Sequence, residues 1–196
     1  MTKHGACDMI YKPEHITDLA PGASVAAEVR CGDEGDTVSL AGRVLAAGEV
    51  LARVCEDPDQ TKVLTSLTAD EGYFAVEETC CLQLERVRVI IGDPHESKRR
   101  PDKQDAVVRQ VLRKAKQAVG SESGKALLRK RGEHLERSFC HVLDHGKHRR
   151  ATLRGRENLT KRQLAAAFTH NLSVLMRHLI GHGTPKQWLA AGACLA

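Results

Sequence analysis

Asp70 is the acid in this chain whose position best suits chemistry. It follows the short apolar run Val63–Ala69 and precedes Glu71-Gly72, so it stands where a buried strand ends and a turn begins. In α/β folds the C-terminal ends of strands open onto the crevice in which ligands collect. The same residue pattern also suits an Asx-turn or a cap on the helix that follows. A second pair of acids lies in the helical stretch Gly132-Glu133-His134-Leu135-Glu136-Arg137-Ser138-Phe139. Glu136 precedes Phe139 by three residues and Leu143 by seven, so it borders the apolar face. Glu133 has Arg129 and Arg137 four residues to either side, which is salt-bridge spacing on an exposed face. Glu136 is therefore the better candidate for a buried functional carboxylate, with Glu133 the alternative; as ordinary helix residues both would be surface acids.

The remaining constellations are weaker. His141 and His145 are four apart, with His134 and His148 nearby, but no HExxH pattern or cysteine partner accompanies them and zinc is not expected. Contact with nucleic acid or solvent is the expected role for these histidines, and for His178 and His182. Gly120–Lys125 contains Gly, Ser and Lys without the P-loop pattern, so nucleotide binding there is not expected.

Charge is distributed unevenly. Between Lys98 and Arg162 there are 20 Lys and Arg against 7 Asp and Glu, whereas the first 97 residues hold 8 basic and 18 acidic residues. A basic block of that density is the footprint expected of phosphate-backbone binding, although charge runs also serve as solvated helical surface.

These residues need elements to hold them. Ile10–Val29 reads as a hairpin around Ala20-Pro21-Gly22-Ala23, with Pro13 marking an edge or a break. A helix capped by Asp36 or Thr37 runs through Val38, Val44, Leu51 and Val54 and ends at Asp57-Pro58-Asp59. Val63–Ala69, Tyr73–Leu84 and Val87–Ile91 read as strand, helix and strand, a βαβ-like unit. After a charged linker at His95–Asp105 come basic helices at Ala106–Val119 and from Lys125 to about Leu143. A basic loop, Asp144–Gly155, leads to a long helix at Thr160–Ile180. Its stripe Leu164, Phe168, Leu172, Leu175 and Leu179 is expected to be core.

Four segments, taken in order, resemble the DDE-class transposases of bacterial insertion sequences. They are Tyr11-Lys12-Pro13-Glu14-His15-Ile16-Thr17-Asp18 with its hairpin, Gly35-Asp36-Thr37, Ala69-Asp70-Glu71-Gly72-Tyr73, and a long C-terminal string. That string includes Arg131 to Phe139, His148-Arg149-Arg150, Leu153-Arg154-Gly155, Asn158-Leu159, Asn171-Leu172, Leu175-Met176-Arg177 and Gly183-Thr184-Pro185. It is the most specific part of the match.

The resemblance implies an α/β, ribonuclease H-like mixed sheet with flanking helices and a basic helical C-terminal part. It makes Asp70 the second and Glu136 the third carboxylate of a catalytic set that binds two divalent ions, Mg²⁺ or Mn²⁺, through hard oxygen ligands. Arg137, Arg149, Arg150 and Arg154 would hold the DNA backbone. The first Asp of the family's set, and the strand that bears it, have no match in this chain. The resemblance therefore implies a core truncated at its N-terminal strand and inactive alone. Glu71 stands where the family has Lys, adding negative charge beside the site.

The expected organisation is a partial core over 1–93, a charged linker and basic helix over 94–124, and a helical part over 125–196 carrying Glu136. Implied partners are DNA at the element ends and a full-length transposase or a second copy. A non-catalytic DNA-binding remnant is the alternative function. The seven cysteines form no CxxC motif and include the adjacent pair Cys80–Cys81, the pattern of reduced and mostly buried thiols. No apolar run reaches the ~18–20 residues of a membrane span, so no membrane partner is expected and the expected location is cytoplasmic, at the bacterial nucleoid.

Overall fold

The computed structural model describes residues 11–55, 63–99, 105–146, 148–150 and 152–181. Asp8, the Asp57-Pro58-Asp59 stop, linker residues 100–104, His182 and Gly183-Thr184-Pro185 lie outside them. The chain is mixed α/β and mostly helical, and it divides into two compact units. One comprises residues 1–33 with 134–196, the other residues 34–133. This grouping differs from the sequential segments 1–93, 94–124 and 125–196, because the hairpin at the start of the chain packs on the last helix.

In the discontinuous unit, β1 (Tyr11–Thr17) and β2 (Ser24–Cys31) form the expected antiparallel hairpin, pairing Tyr11 with Cys31 and Ile16 with Ala26. Pro13 is accommodated within β1, opposite Val29. Its missing N–H costs little in a two-stranded sheet, where each strand has a free edge. The turn is closed by Gly22 N–H to the Asp18 carbonyl at 2.8 Å, and the Asp18 carboxylate accepts from Ala20 N–H at 2.8 Å. Gly22 has φ +79°, and a Cβ on it would lie 2.6 Å from His134 Nδ1, so both backbone and space require glycine.

β2 packs on α5 (Arg156–Ile180). Asn171 imitates a neighbouring strand: its side-chain oxygen accepts from Ser24 N–H at 2.7 Å, and its amide NH₂ donates to the Ser24 carbonyl at 2.7 Å. The preceding residue, His170, donates through Nε2 to the Gly22 carbonyl at 3.2 Å. These polar bonds set the rotation of α5. Its buried face is Leu159, Gln163, Ala167 and His170, while Leu164, Phe168, Leu172, Leu175 and Leu179 are exposed. The stripe expected to be core is thus on the surface.

In the continuous unit, α1 (Leu40–Val54) begins after Ser39, later than the expected caps Asp36 and Thr37. Ser39 provides no side-chain cap; Glu78 on α2 (Val76–Leu84) accepts from Ala41 N–H instead. β3 (Ser66–Thr68) and β4 (Arg88–Ile90) pair in parallel around α2, completing the anticipated βαβ unit. A short 3₁₀ turn at Glu71–Tyr73 precedes α2, where one continuous helix from Tyr73 was expected. Leu82, Val89, Ile90 and Ile91 are buried at its centre. Burying such side chains contributes roughly 1.5–3 kcal/mol each.

α3 (Ala106–Gly120) lays Val111, Ala115 and Ala118 on this core. Ser121 then ends α3 and starts α4 (Glu122–Phe139): its hydroxyl donates to the Ala118 carbonyl at 2.7 Å and accepts from Gly124 N–H at 3.0 Å. The stop between the basic helices is therefore one residue, not the five of Gly120–Gly124. After α4 comes a π-helical turn, Cys140–His145.

The strands of the described residues form two two-stranded sheets, not one mixed sheet. The described cysteines are free thiols, and Cys31, Cys55 and Cys80 are half-buried while Cys81 and Cys140 are exposed. None of the five is fully buried, contrary to the expectation of mostly buried thiols.

Candidate nucleic-acid interface

Asp70 stands two residues after β3 and its carbonyl opens the 3₁₀ turn, accepting from Tyr73 N–H at 3.0 Å. Its side chain makes no cap hydrogen bond, so the capping use of the residue is not realised. The carboxylate is 75% exposed and faces the Arg131 guanidinium at 3.9 Å. A pair that open to water is worth little, within about 1 kcal/mol.

Glu136 and Glu133 both lie on exposed parts of α4, so neither is the buried carboxylate that helix periodicity suggested for Glu136. The apolar face they border is narrower than expected, because Leu135 is only half-buried and buried Ser138 takes the inward position instead. Asp70 belongs to the continuous unit and Glu136 to the discontinuous one. Among the described residues, no group of three or more His, Cys, Asp or Glu side chains is arranged to hold a metal ion. Two bridged divalent ions need several convergent carboxylate oxygens. Among the described residues the surroundings of Asp70, whose charge partner is Arg131, do not fit such a centre.

Arg137, Arg149, Arg150 and Arg154 all belong to the discontinuous unit and are all exposed. Arg150, Thr152 and Arg154 are tied to residues in the first turns of α5. Arg162 donates to Thr152 Oγ1 at 2.8 Å and to the Arg150 carbonyl at 3.4 Å, while Asn158 Nδ2 donates to the Arg154 carbonyl at 2.9 Å. These bonds use backbone oxygens and one hydroxyl, leaving the Arg150 and Arg154 side chains projecting into solvent.

Arg149 differs, since it is ion-paired with Asp144, and that hydrogen bond raises its already high pKa. Gly155, at φ +83°, turns the chain sharply into α5. The result is a basic surface loop on a helix N-terminus, suited to oxyanions through guanidinium forks.

His134, His141 and His148 turn inward more than the sequence suggested, whereas His178 is exposed as expected. His134 is half-buried against Gly22, the His141 ring lies tilted at 5.5 Å from that of His170, and His148 is bonded to Gln163 at 3.4 Å. Burial lowers the His148 pKa, with the Gln163 bond opposing it.

His15 and His170, neither anticipated, lie deeper. The Ser138 hydroxyl donates to the Leu135 carbonyl at 3.1 Å, so at 2.6 Å it must accept from His15 Nε2–H. That fixes the tautomer and leaves His15 Nδ1 a bare, buried acceptor without a partner. Protonation would create a buried N–H with nothing to receive it. Burial, and secondarily the nearby His170, lower the His15 pKa from 6.5 to about 4.

A lowered histidine pKa means that the unfolded chain takes the proton first as pH falls. Stability from this source is complete above pH 6.5 and declines between 6.5 and about 4. The expected loss on going from pH 7 to pH 4 is about 3 kcal/mol. His15→Gln keeps a donor toward Ser138 and does not titrate. Urea unfolding at both pH values should show the variant losing less stability than the parent by about that amount. Equal losses in the two proteins would refute the assignment.

The polar residues at His15, His170 and Asn171 were missed because they interrupt apolar patterns and so read as surface. A usable signal was that Gln163, His170 and Asn171 fall on one side of the helix together with Leu159 and Ala167. No helix among the described residues is long and apolar enough to cross a membrane. No family model matches the chain, and neither any curated protein nor any solved structure matches it.

Proposed function

We propose that this chain is a DNA-binding protein related to the DDE transposases, whose parental activity is metal-dependent DNA strand cleavage and transfer. The observation that carries the reading is the exposed arginine loop, Arg149, Arg150 and Arg154, braced by Arg162 and Asn158 within the segment of most specific resemblance. The parallel βαβ unit with Asp70 at the end of β3 supports descent from a ribonuclease H-like core. In the parent, Asp70 and Glu136 would be metal ligands for Mg²⁺ or Mn²⁺. The exposure of both acids, and the Arg131 partner of Asp70, favour the non-catalytic form of the reading. In that form the chain occupies DNA at element ends, bacterial and nucleoid-associated, and competes or pairs with a full-length transposase or a second copy.

The test combines binding and cutting. The chain is expected to retard duplex DNA without divalent ions and to leave supercoiled plasmid intact in Mn²⁺. Removing carboxylate chemistry from a two-metal site costs orders of magnitude in rate, because each ion supplies several kcal/mol. Mn²⁺-dependent nicking that disappears in Asp70→Ala would overturn the non-catalytic reading. Absence of DNA binding at low salt would overturn the nucleic-acid reading altogether.

A further inference from the structure

The continuous unit contains an open cavity of about 490 Å³ between the end of α2, the start of β4 and one face of α3. Its lining carries three cations, Arg86, Arg88 and Lys114, together with Gln83 and Gln117, and no carboxylate. The floor is apolar: Val87 and Val89 are almost fully buried. An apolar floor strengthens the attraction of nearby cations such as Arg88 and Lys114 for an anion that enters beside them. The cavity lies at the N-terminal end of β4, whereas Asp70 follows the C-terminal end of its parallel partner β3. It is therefore distinct from the carboxylate site.

Each cation is positioned by backbone or hydroxyl geometry. α2 ends in a paired motif, Val87 N–H to the Leu82 carbonyl at 2.8 Å and Arg86 N–H to the Gln83 carbonyl at 3.1 Å. That motif requires a left-handed residue, normally glycine, and here the residue is Arg86 at φ +59°. A long side chain kept in a strained backbone position lines the cavity, and such strain gathers at functional sites. Arg88 is held by the hydroxyls of Ser121 at 2.7 Å and Ser123 at 3.0 Å, neutral partners that leave its charge uncompensated. Gln83 Nε2 donates to the Val111 carbonyl at 3.1 Å, fastening α2 to α3 along the cavity wall.

We propose that this cavity binds a phosphate group, through charge-assisted hydrogen bonds from Arg86, Arg88 and Lys114. The volume suits a small phosphorylated molecule, within the roughly 300–1,000 Å³ of ligand pockets. A backbone phosphate of single-stranded nucleic acid has the same chemistry. The site does not depend on the arginine loop of the other unit.

Calorimetric titration of the full chain with inorganic pyrophosphate, and separately with a 12-nucleotide single-stranded oligodeoxynucleotide, tests the assignment. The decisive comparison is between the parent and the double variant Arg86→Gly, Lys114→Gln. Arg86→Gly alone should raise the thermal midpoint by relieving the left-handed residue, so loss of binding is separable from loss of fold. A tenfold or greater fall in affinity for pyrophosphate supports the proposal with a small-molecule source. A fall of that size for the oligonucleotide only supports it with a nucleic-acid source. Affinities for both probes within tenfold of the parent, or no parent binding to either, would overturn it. Lys114→Gln alone, on an exposed position of α3, is read by the same criterion if the double variant is unfolded.

Discussion

Replacing Arg149, Arg150 and Arg154 together by Gln is expected to weaken duplex-DNA binding on the order of 100-fold at low salt and to flatten its salt dependence. Each phosphate contact contributes about 0.9 to the slope of log affinity against log salt. Three full contacts would remove about 2.7, but Arg149 already spends charge on Asp144. A reduction nearer two is therefore expected, from Arg150 and Arg154 fully and Arg149 in part.

Two further variants sharpen the reading. Asp144→Asn should strengthen binding and steepen the slope, by releasing Arg149. Arg137→Gln, in the last turn of α4 and not part of the braced loop, should have a smaller effect than the triple variant. Fluorescence anisotropy at several salt concentrations measures all three. An unchanged slope in the triple variant would remove the loop from the interface, even if DNA binding persists through other residues of the basic block.

The second large effect is on stability. Asn171→Leu, which has the same number and branching of side-chain heavy atoms, should destabilise the discontinuous unit by about 2–5 kcal/mol. The change removes both bonds to Ser24, leaving its half-buried N–H and carbonyl without that partner. The cost is large because the two groups have already been taken from water. Asn171→Asp preserves the acceptor toward Ser24 N–H but sets a carboxylate against the carbonyl, so it should also destabilise and should recover as the pH falls and the acid can donate. Denaturant unfolding at two pH values gives both numbers. A loss below about 1 kcal/mol for Asn171→Leu would mean that water replaces the side chain and that the α5–hairpin contact is not held at this point.

Local signals in the chain determined much of this protein. The hairpin followed from turn residues and alternation around Ala20–Ala23, where Gly22 answers a positive φ. The βαβ unit followed from two short apolar runs separated by a helical one, and parallel pairing is what such a connection permits. Exposure of Arg137, Arg149, Arg150 and Arg154 was also legible, since dense like charge cannot be buried.

Tertiary structure decided which face of each helix is inside. On α5 the apolar stripe Leu164–Leu179 should have been core, yet the bonds from His170 and Asn171 to the hairpin turn the helix so that it faces outward. Those bonds join residues separated by nearly 150 positions, and helical periodicity carries no information about a backbone group so distant. The same holds for α1, whose cap comes from Glu78 rather than from an adjacent residue. The cavity at Arg86, Arg88 and Lys114 was invisible for a related reason. Two of its cations lie in an acidic half of the sequence and the third in a basic one, and only the packing of α3 beside β4 brings the three charges together. Periodicity reports what a residue is next to along its own element; burial and charge clustering depend on what another element brings to meet it.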